Sequence, residues 1–458
     1  MSTHDLDVGH IIQLREAGLP QAFGRQDAEF RPLLSGFNTA IVHDPALVVA
    51  PRSVEEVITA VGFANRHDLP VHVLGKGHGA LAPVTAGMAM ATDDLAFVEV
   101  DHTSRTARVG AGATWNDVLE ATAPHGLAAL CGSAPHVGVI GYLMGGGIGP
   151  VARTFGFAAD HVRSVSLVTA DGGLVRADPY FNHDLFWAVR GGKGGFGVVV
   201  EVVIDLFPLA SLYGGGLYFS AEDTPNVLRS FAEWALDLPD ELTTSLSMLR
   251  LPPAPELPEP LRGRFVSHLR VAYVGDAESA EAALAPMRAA AIPLIDTVGT
   301  MPYSQIGAIH SDPVTPMGVA DGGILLDSFG RDTVEALLSA AGPTVELPLA
   351  AVEVRRLGGA LAHRPDVDNA VSGREAPFGL HVVGAPIPAL VHTAMPAIIA
   401  ELFAALRPWA TGTTQVNFVG TANGPWALAT AWPEPVRERL REVRRRHDPA
   451  RRFPFVGD

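Results

Sequence analysis

Hydrophobic and polar positions along this chain follow two spacings, and the change from one to the other marks its parts. Over 53–66 apolar residues recur at helical spacing (Val57, Ile58, Val61, Ala64), behind Ser53 and Glu56 at the separation of a capping box. This predicts an amphipathic helix to about Arg66. Short apolar or alternating runs follow: DLPVHVL (68–74), FVEVD (97–101) and TARVG (106–110), then a helix opening at Thr114. The segment 162–178 reads as two alternating strands around a Gly-containing turn, a hairpin signal, and 196–209 is a further β-rich run. Beyond about 210 the composition shifts. Runs at 215–221, 243–251, 265–275, 322–330, 351–359 and 379–386 predict strands of an antiparallel sheet, with helices at 279–291 and 334–342 between them. Residues 251–263 are a Pro-rich surface loop, and 433–453 an arginine-rich helix with a solvated face of Glu–Arg pairs. Residues 1–36 predict a helical leader with no readable chemistry.

Composition narrows the picture. The chain has 458 residues, 48% hydrophobic and 18% charged, enough to bury a large core and too apolar for global disorder. A net charge of −16 argues against a nucleic-acid partner, and weakly against polyanionic substrates. The single cysteine, Cys131, excludes an intramolecular disulfide framework and a cysteine-rich metal site. No H-E-x-x-H or EF-hand pattern occurs, so no metal is expected. No apolar run reaches about 18 residues, so no membrane span is expected. The first ten residues lack a basic segment followed by an apolar one, and the expectation is a soluble, cytoplasmic protein. Only two lysines occur, Lys76 and Lys193, and both lie in glycine-rich stretches.

Those stretches hold the candidate chemistry. GKGHGA (75–80), the run 132–149 and GGKGGFGV (191–198) concentrate glycine where strands end. Glycine adopts positive φ and lets backbone N–H groups approach an anion, forming a nest. Segment 75–80 lacks the G-x-G-x-x-G spacing of a Rossmann fingerprint, and no Walker A loop is present. The residues alone point to a dinucleotide or phosphate cofactor held outside those two motifs.

The order of motifs resembles the flavoproteins of the vanillyl-alcohol oxidase superfamily, and within it the berberine-bridge-enzyme-like oxidases. The matching segments are PALVVAPRSVEEV (45–57), LPVHVLGKGHG (69–79), PHVGVIGYLMGGGIG (135–149), GFAADHV (156–162), DLFWAVRGGKGGFGVVVEV (184–202) and RLREVRRRHDPARRF (439–453). The resemblance implies an α+β fold: a two-part FAD-binding domain of the PCMH type with an inserted substrate domain on a helix-covered antiparallel sheet. Its implied parts are a leader (1–40), the FAD-binding domain (41–210), the substrate domain (211–405) and a C-terminal segment returning to the FAD domain (406–458). It implies FAD, with His78 matching the histidine that joins covalently to the flavin. Leu74, Gly75, Lys76, Gly77, Gly79 and Ala80 would cradle the pyrophosphate. Gly132, Ser133, His136, Val137, Gly138, Gly141, Tyr142 and Gly146 would lie along the flavin, Gly197 and Val198 near the adenine half, and Asn417 near the ring.

The chain also departs from the family. Where bicovalent members carry a second linking cysteine it has Ala134, so a single link is expected. The family's C-terminal Tyr-x-Asn-Tyr reads Gln415-Val416-Asn417-Phe418, so the usual catalytic tyrosine cannot be carried over. Candidates for binding or deprotonating substrate are Tyr142, His136, Tyr303, His310, Arg374 and Asn417. The implied activity is an FAD-dependent oxidase that removes a hydride from a C–H next to O or N of a bulky, secondary-metabolite-like organic substrate, with O2 reoxidising the flavin. The alternatives are a non-redox cyclase or isomerase using FAD as a scaffold, and a dehydrogenase with another acceptor. The apolar strands of 211–405 suggest a pocket roof suited to a bulky substrate.

Overall fold

Four sheets hold the strands in the computed structural model, which describes residues 8–422 and 424–455. The first seven residues of the expected leader lie outside the described residues. β1 (Ala22–Phe23), β2 (Leu47–Val49), β3 (Val71–Leu74) and β4 (Met88–Ala91) form a sheet in the order β1-β2-β4-β3. β2 and β3 both run parallel to β4, because helix Val54–Arg66 crosses over between them. That helix buries Val57, Ala60, Val61, Phe63 and Ala64. Ser53 caps it by accepting the Glu56 N–H (3.3 Å), while Glu56 returns to the N–H of Arg52 rather than of Ser53.

β5 (Val98–Asp101), β6 (Thr106–Gly110), β8 (Val162–Val168), β9 (Leu174–Ala177) and β10 (Val198–Asp205) make an antiparallel sheet ordered β5-β6-β10-β8-β9. Its β8–β9 pair is the hairpin expected at 162–178. Thr114 heads helix Trp115–Thr122 in a capping box with Asp117. A two-residue ribbon, β7 (Leu127–Ala128) with β11 (Phe207–Pro208), closes this half.

The fourth sheet, of eight strands, contains every strand expected beyond 210. β12 (Ser211–Phe219), β13 (Leu242–Arg250), β14 (Phe265–Tyr273), β15 (Ile295–Asp296), β17 (Asp321–Leu326), β18 (Leu349–Arg356) and β19 (Phe378–Gly384) are ordered β15-β12-β14-β13-β18-β19-β17, with β16 (Gly299–Pro302) also on β12. All its pairings are antiparallel. One face is apolar: Leu246, Leu269, Val352, Val354 and Leu380 pack against helices Thr224–Trp234, Ala277–Ala290, Arg331–Ala341 and Met395–Ala405. Each such side chain contributes about 1.5–3 kcal/mol on burial. The other face is polar, and it is buried as well.

The arginine-rich helix, Glu434–His447, does more than present a solvated face. Leu440 and Val443 enter the core, and Arg444 donates to the carbonyls of Gly192 and Gly194 (2.9 and 3.0 Å), anchoring the third glycine loop. The chain reaches that helix along the large sheet: Leu325 exchanges hydrogen bonds with Thr411 and Thr413. Among the described residues no helix is long and apolar enough to cross a membrane.

Candidate active site

β3 ends in the first glycine loop. None of the N–H groups of 75–80 donates to an acceptor among the described residues, although Lys76 O accepts from Phe37 N–H (2.9 Å). Free N–H groups in a glycine-rich turn are available to hold an anion. Gly77 has φ +77°, and a Cβ there would fall 2.5 Å from Gly36 Cα. Leu74 is half-buried while Gly75 and Gly79 are exposed, so the loop rim stays open.

His78 lies stacked on Phe37 (centroids 4.2 Å, 13° between planes) with His136 at 4.8 Å. Both its ring nitrogens are buried without a hydrogen-bond partner. Burial, with the charges of His136 and Lys76 adding, pulls its pKa down to about 4, so the imidazole is neutral near pH 7. A neutral ring with an unused lone pair is what nucleophilic attachment requires. Phe37, which packs against it, lies just beyond the segment 1–36 expected to carry no chemistry, and nothing in the sequence singles it out.

The second loop is pinned by backbone bonds from Trp115 N–H to Val137 O (3.1 Å), Asn116 N–H to Pro135 O (2.7 Å) and Val139 N–H to Ala113 O (3.0 Å). It touches the first loop where Gly138 meets the Lys76 stem. Tyr142 fills a slot lined by Gly132, Gly147 and Gly149; a Cβ on Gly147 would come within 2.4 Å of the ring. Its hydroxyl is buried without a partner, and burial pushes its pKa well above the usual phenol value, so it stays protonated. Asn417 braces this loop. Its Nδ2–H donates to Tyr142 O (2.9 Å), its Oδ1 accepts from Lys193 (2.6 Å), and it lies so close to Gly145 that no Cβ fits there. Gly146 takes φ +95° in the same turn. Gly197 (φ +142°) would clash with Val168 O if substituted, and Val198 is fully buried as β10 begins.

Opposite these loops lies the polar face of the large sheet. Register places Tyr218, His268, Ser247, Glu353 and His381 side by side across five strands, with Arg270, Ser245 and Arg355 in the next row. Glu353 is the hub. It accepts from Arg270 (2.7 Å), Arg355 (2.8 Å) and Ser245 (2.6 Å), with His310 Nε2 at 3.7 Å. Burial alone would raise its pKa, but the Arg355 and Arg270 charges outweigh burial and hold the carboxyl well below its ordinary range. Burial, with Arg270 adding, pulls His310 down to about 3. Ser247 Oγ, His268 Nε2, His310 Nδ1 and Arg355 Nε are buried without partners. This face joins the second loop: Ser133 donates to Asp312 (2.7 Å), and Ile148 and Gly149 line one narrow cavity with Arg270, His310 and Arg355.

The expectation of an apolar roof is therefore corrected. The apolar residues of these strands point to the helices, and the period-2 alternation of β14 and β18 sends His268, Arg270, Glu353 and Arg355 inward. That signal is legible in VSHLRV and VEVRR, where charges alternate with buried valines and leucines.

Two further expectations are corrected. Tyr303 is 2% exposed and donates to Ala129 O (2.6 Å), which commits its hydroxyl to the core. Arg374 is buried in a bidentate pair with Asp160 (2.6 and 3.1 Å) and donates to His363 O and Asn369 Oδ1, bracing loops rather than facing the cleft. His310 lines the narrow cavity with Arg270 and Arg355, His136 lies beside His78, and Asn417 holds the Tyr142 carbonyl. Cys131 is fully buried, and burial pushes its thiol up to about 12, beside Tyr303. Peptide mass spectrometry of the flavin-loaded protein is expected to find Cys131 unmodified; a flavin adduct there would overturn the single-link assignment. Among the described residues no group of three or more His, Cys, Asp or Glu is arranged to hold a metal.

Residues 45–178 match the sequence family described as FAD binding domain. An FAD-linked oxidoreductase of Dictyostelium discoideum is 26% identical over 66% of this chain; the chain spans 65% of that relative's length. In fold the chain is similar to the BBE-like 1 protein of Physcomitrella patens (TM-score 0.82, 20% identity, 97% of this chain and 98% of that one). It is similar also to Phl p 4, described as a glucose dehydrogenase (TM-score 0.82, 19% identity, 98% and 99% covered), and to a valine-for-isoleucine variant of it described as a glucose oxidase. The chain thus has an FAD-binding domain within the berberine-bridge-enzyme-like fold, and the enzyme class of its relatives is FAD-dependent oxidoreductase.

Proposed function

We propose that the chain is an FAD-dependent oxidase that removes a hydride from a C–H next to O or N of a polar, uncharged organic molecule. The observation that carries this reading is the pairing of an anion-binding loop, ending at neutral His78, with a buried polar sheet face across the same cleft. The residues fit the cofactor. The free N–H groups of 75–80 would hold its diphosphate, His78 would attach to it, and 132–142 would lie along its ring. FAD held there would supply a hydride acceptor whose electrons O2 would take up as H2O2.

The chain's own groups orient the substrate. Arg270 and Arg355 are balanced by Glu353 and Asp312, so the face favours a neutral ligand. The unpartnered atoms of Ser247, His268, His310 and Arg355 favour one rich in hydroxyl or amine groups, since each left unpaired costs about 1–3 kcal/mol. His310 Nδ1 is a ready acceptor for a substrate O–H or N–H. Glu353, locked by two guanidinium groups, orients His310 rather than taking the proton itself.

Two measurements test this. Peroxide release across a panel of small molecules is expected to select neutral hydroxylated or amino compounds over apolar ones of the same size. Anaerobic substrate must bleach the flavin; product formed without bleaching would establish non-redox chemistry instead. The His78 link is checked separately. Acid precipitation is expected to leave yellow colour in the wild-type pellet, and His78→Ala to release it. Flavin washing fully from the wild type would remove the covalent claim alone.

A further inference from the structure

Lys193 and Lys76 are the chain's two lysines, and their surroundings differ. Lys76 pairs with Asp93. Lys193 has no carboxylate within ion-pair distance among the described residues. Its Nζ meets only neutral oxygens, Asn417 Oδ1 at 2.6 Å and Gly141 O at 3.3 Å. It also borders the first glycine loop, where a Cβ on Gly79 would lie 3.4 Å from Nζ. Three separate segments, the loops at 79 and 141 and the tail at 417, thus converge on one ammonium. The backbone spends strain to aim it: Lys193 has φ +67°, in the left-handed region an L side chain rarely adopts. Arg444 holds the same loop from behind through Gly192 and Gly194.

An unneutralised cation beside a row of unpartnered N–H groups is half of an ion-binding site. We infer that Lys193 is the counter-charge for the diphosphate bridge of FAD, closing over it from the third glycine loop while the N–H groups of 75–80 hold it from the first. The inference rests on the flavin reading above and extends it to this side chain. Burial pulls the Lys193 pKa down to about 8, the direction expected where an ammonium is held without an anion, and a bound diphosphate opposes that shift.

The test compares two ligands on full-length flavin-free protein made under riboflavin limitation and carrying His78→Ala throughout, so that flavin binding is reversible and the protein with Lys193 intact is the reference. FAD carries the diphosphate; riboflavin carries the same ring without it. Fluorescence titration is expected to show Lys193→Met and Lys193→Gln weakening FAD by about 10- to 100-fold, the scale of a charge-assisted contact, with riboflavin binding unchanged. Lys193→Arg is expected to stay within a few-fold of that reference. Lys193→Gln can still donate to Asn417, so it separates loss of charge from loss of the brace. FAD binding unchanged in both Met and Gln variants overturns the inference. Equal loss of FAD and riboflavin overturns it too, by assigning Lys193 to the ring or to the fold. If wild-type protein binds no FAD, the flavin reading itself fails.

Discussion

Glu353→Gln is expected to destabilise the protein by roughly 3–5 kcal/mol, the largest stability effect of any single substitution proposed here. The amide keeps the shape of the carboxylate but not its charge. Arg270 and Arg355 would then remain buried (side chains 7% and 16% exposed) with no anion between them. Replacing a buried pair by apolar groups is often neutral, whereas removing one partner is costly; that asymmetry decides the size of the effect. The double variant Glu353→Gln/Arg270→Gln is expected to recover part of the loss, because one uncompensated charge disappears. Denaturant unfolding at neutral pH checks this, and a single-variant loss below 1 kcal/mol would show that Glu353 is not the hub.

The same cluster sets an acid limit. The His310 pKa is lowered to about 3 from an ordinary 6.5, so between these values the unfolded chain takes up a proton that the folded chain excludes. Stability therefore falls as pH drops from about 6.5 toward 3, by up to about 1.4 kcal/mol per pH unit for this group. Glu353, with its folded pKa depressed, adds stability above its ordinary carboxyl range and loses it at lower pH still. His310→Asn is expected to flatten the profile between pH 6.5 and 5.

The fold was largely legible in the sequence because its strands alternate cleanly and its turns carry glycine. The helix behind Ser53, the hairpin at 162–178 and all six strand segments noted beyond 210 are present. The glycine loops stand out in the sequence because glycine clusters where strands end, and the anion site proposed for them rests on the free N–H groups of 75–80. The roof was misread for a physical reason. Alternating strands report that two faces differ, and not which face is covered by what; here helices bury the apolar face, while Ile148 and Gly149 meet the polar one beside Arg270, His310 and Arg355. Tyr303 and Arg374 were misassigned because core hydrogen bonding and substrate binding use the same side chains, and only partners such as Ala129 O or Asp160 distinguish them. Phe37 was invisible, since its role depends on Gly36 meeting Gly77 across the fold.

Val137→Ile is expected to slow reoxidation of the reduced flavin in air by about 10- to 100-fold while changing its reduction by substrate little. Val137 has no freedom to retreat: its N–H donates to Ala134 O (3.0 Å) and its carbonyl accepts from Trp115 N–H (3.1 Å). Its side chain is half-buried and packs on the core beneath the loop. An added methylene there must project into the cleft or strain the packing, at about 1–3 kcal/mol, and each 1.4 kcal/mol in a barrier is a tenfold change in rate. O2 needs only a small space beside the flavin, so blocking that space penalises the oxygen step selectively. The wild-type chain has the smaller residue, and the proposed oxidase reading expects O2 as its acceptor. Stopped-flow reoxidation with peroxide assay decides the matter. A wild-type protein whose reduced flavin is stable in air would be a dehydrogenase, and Val137 would then be a packing residue only.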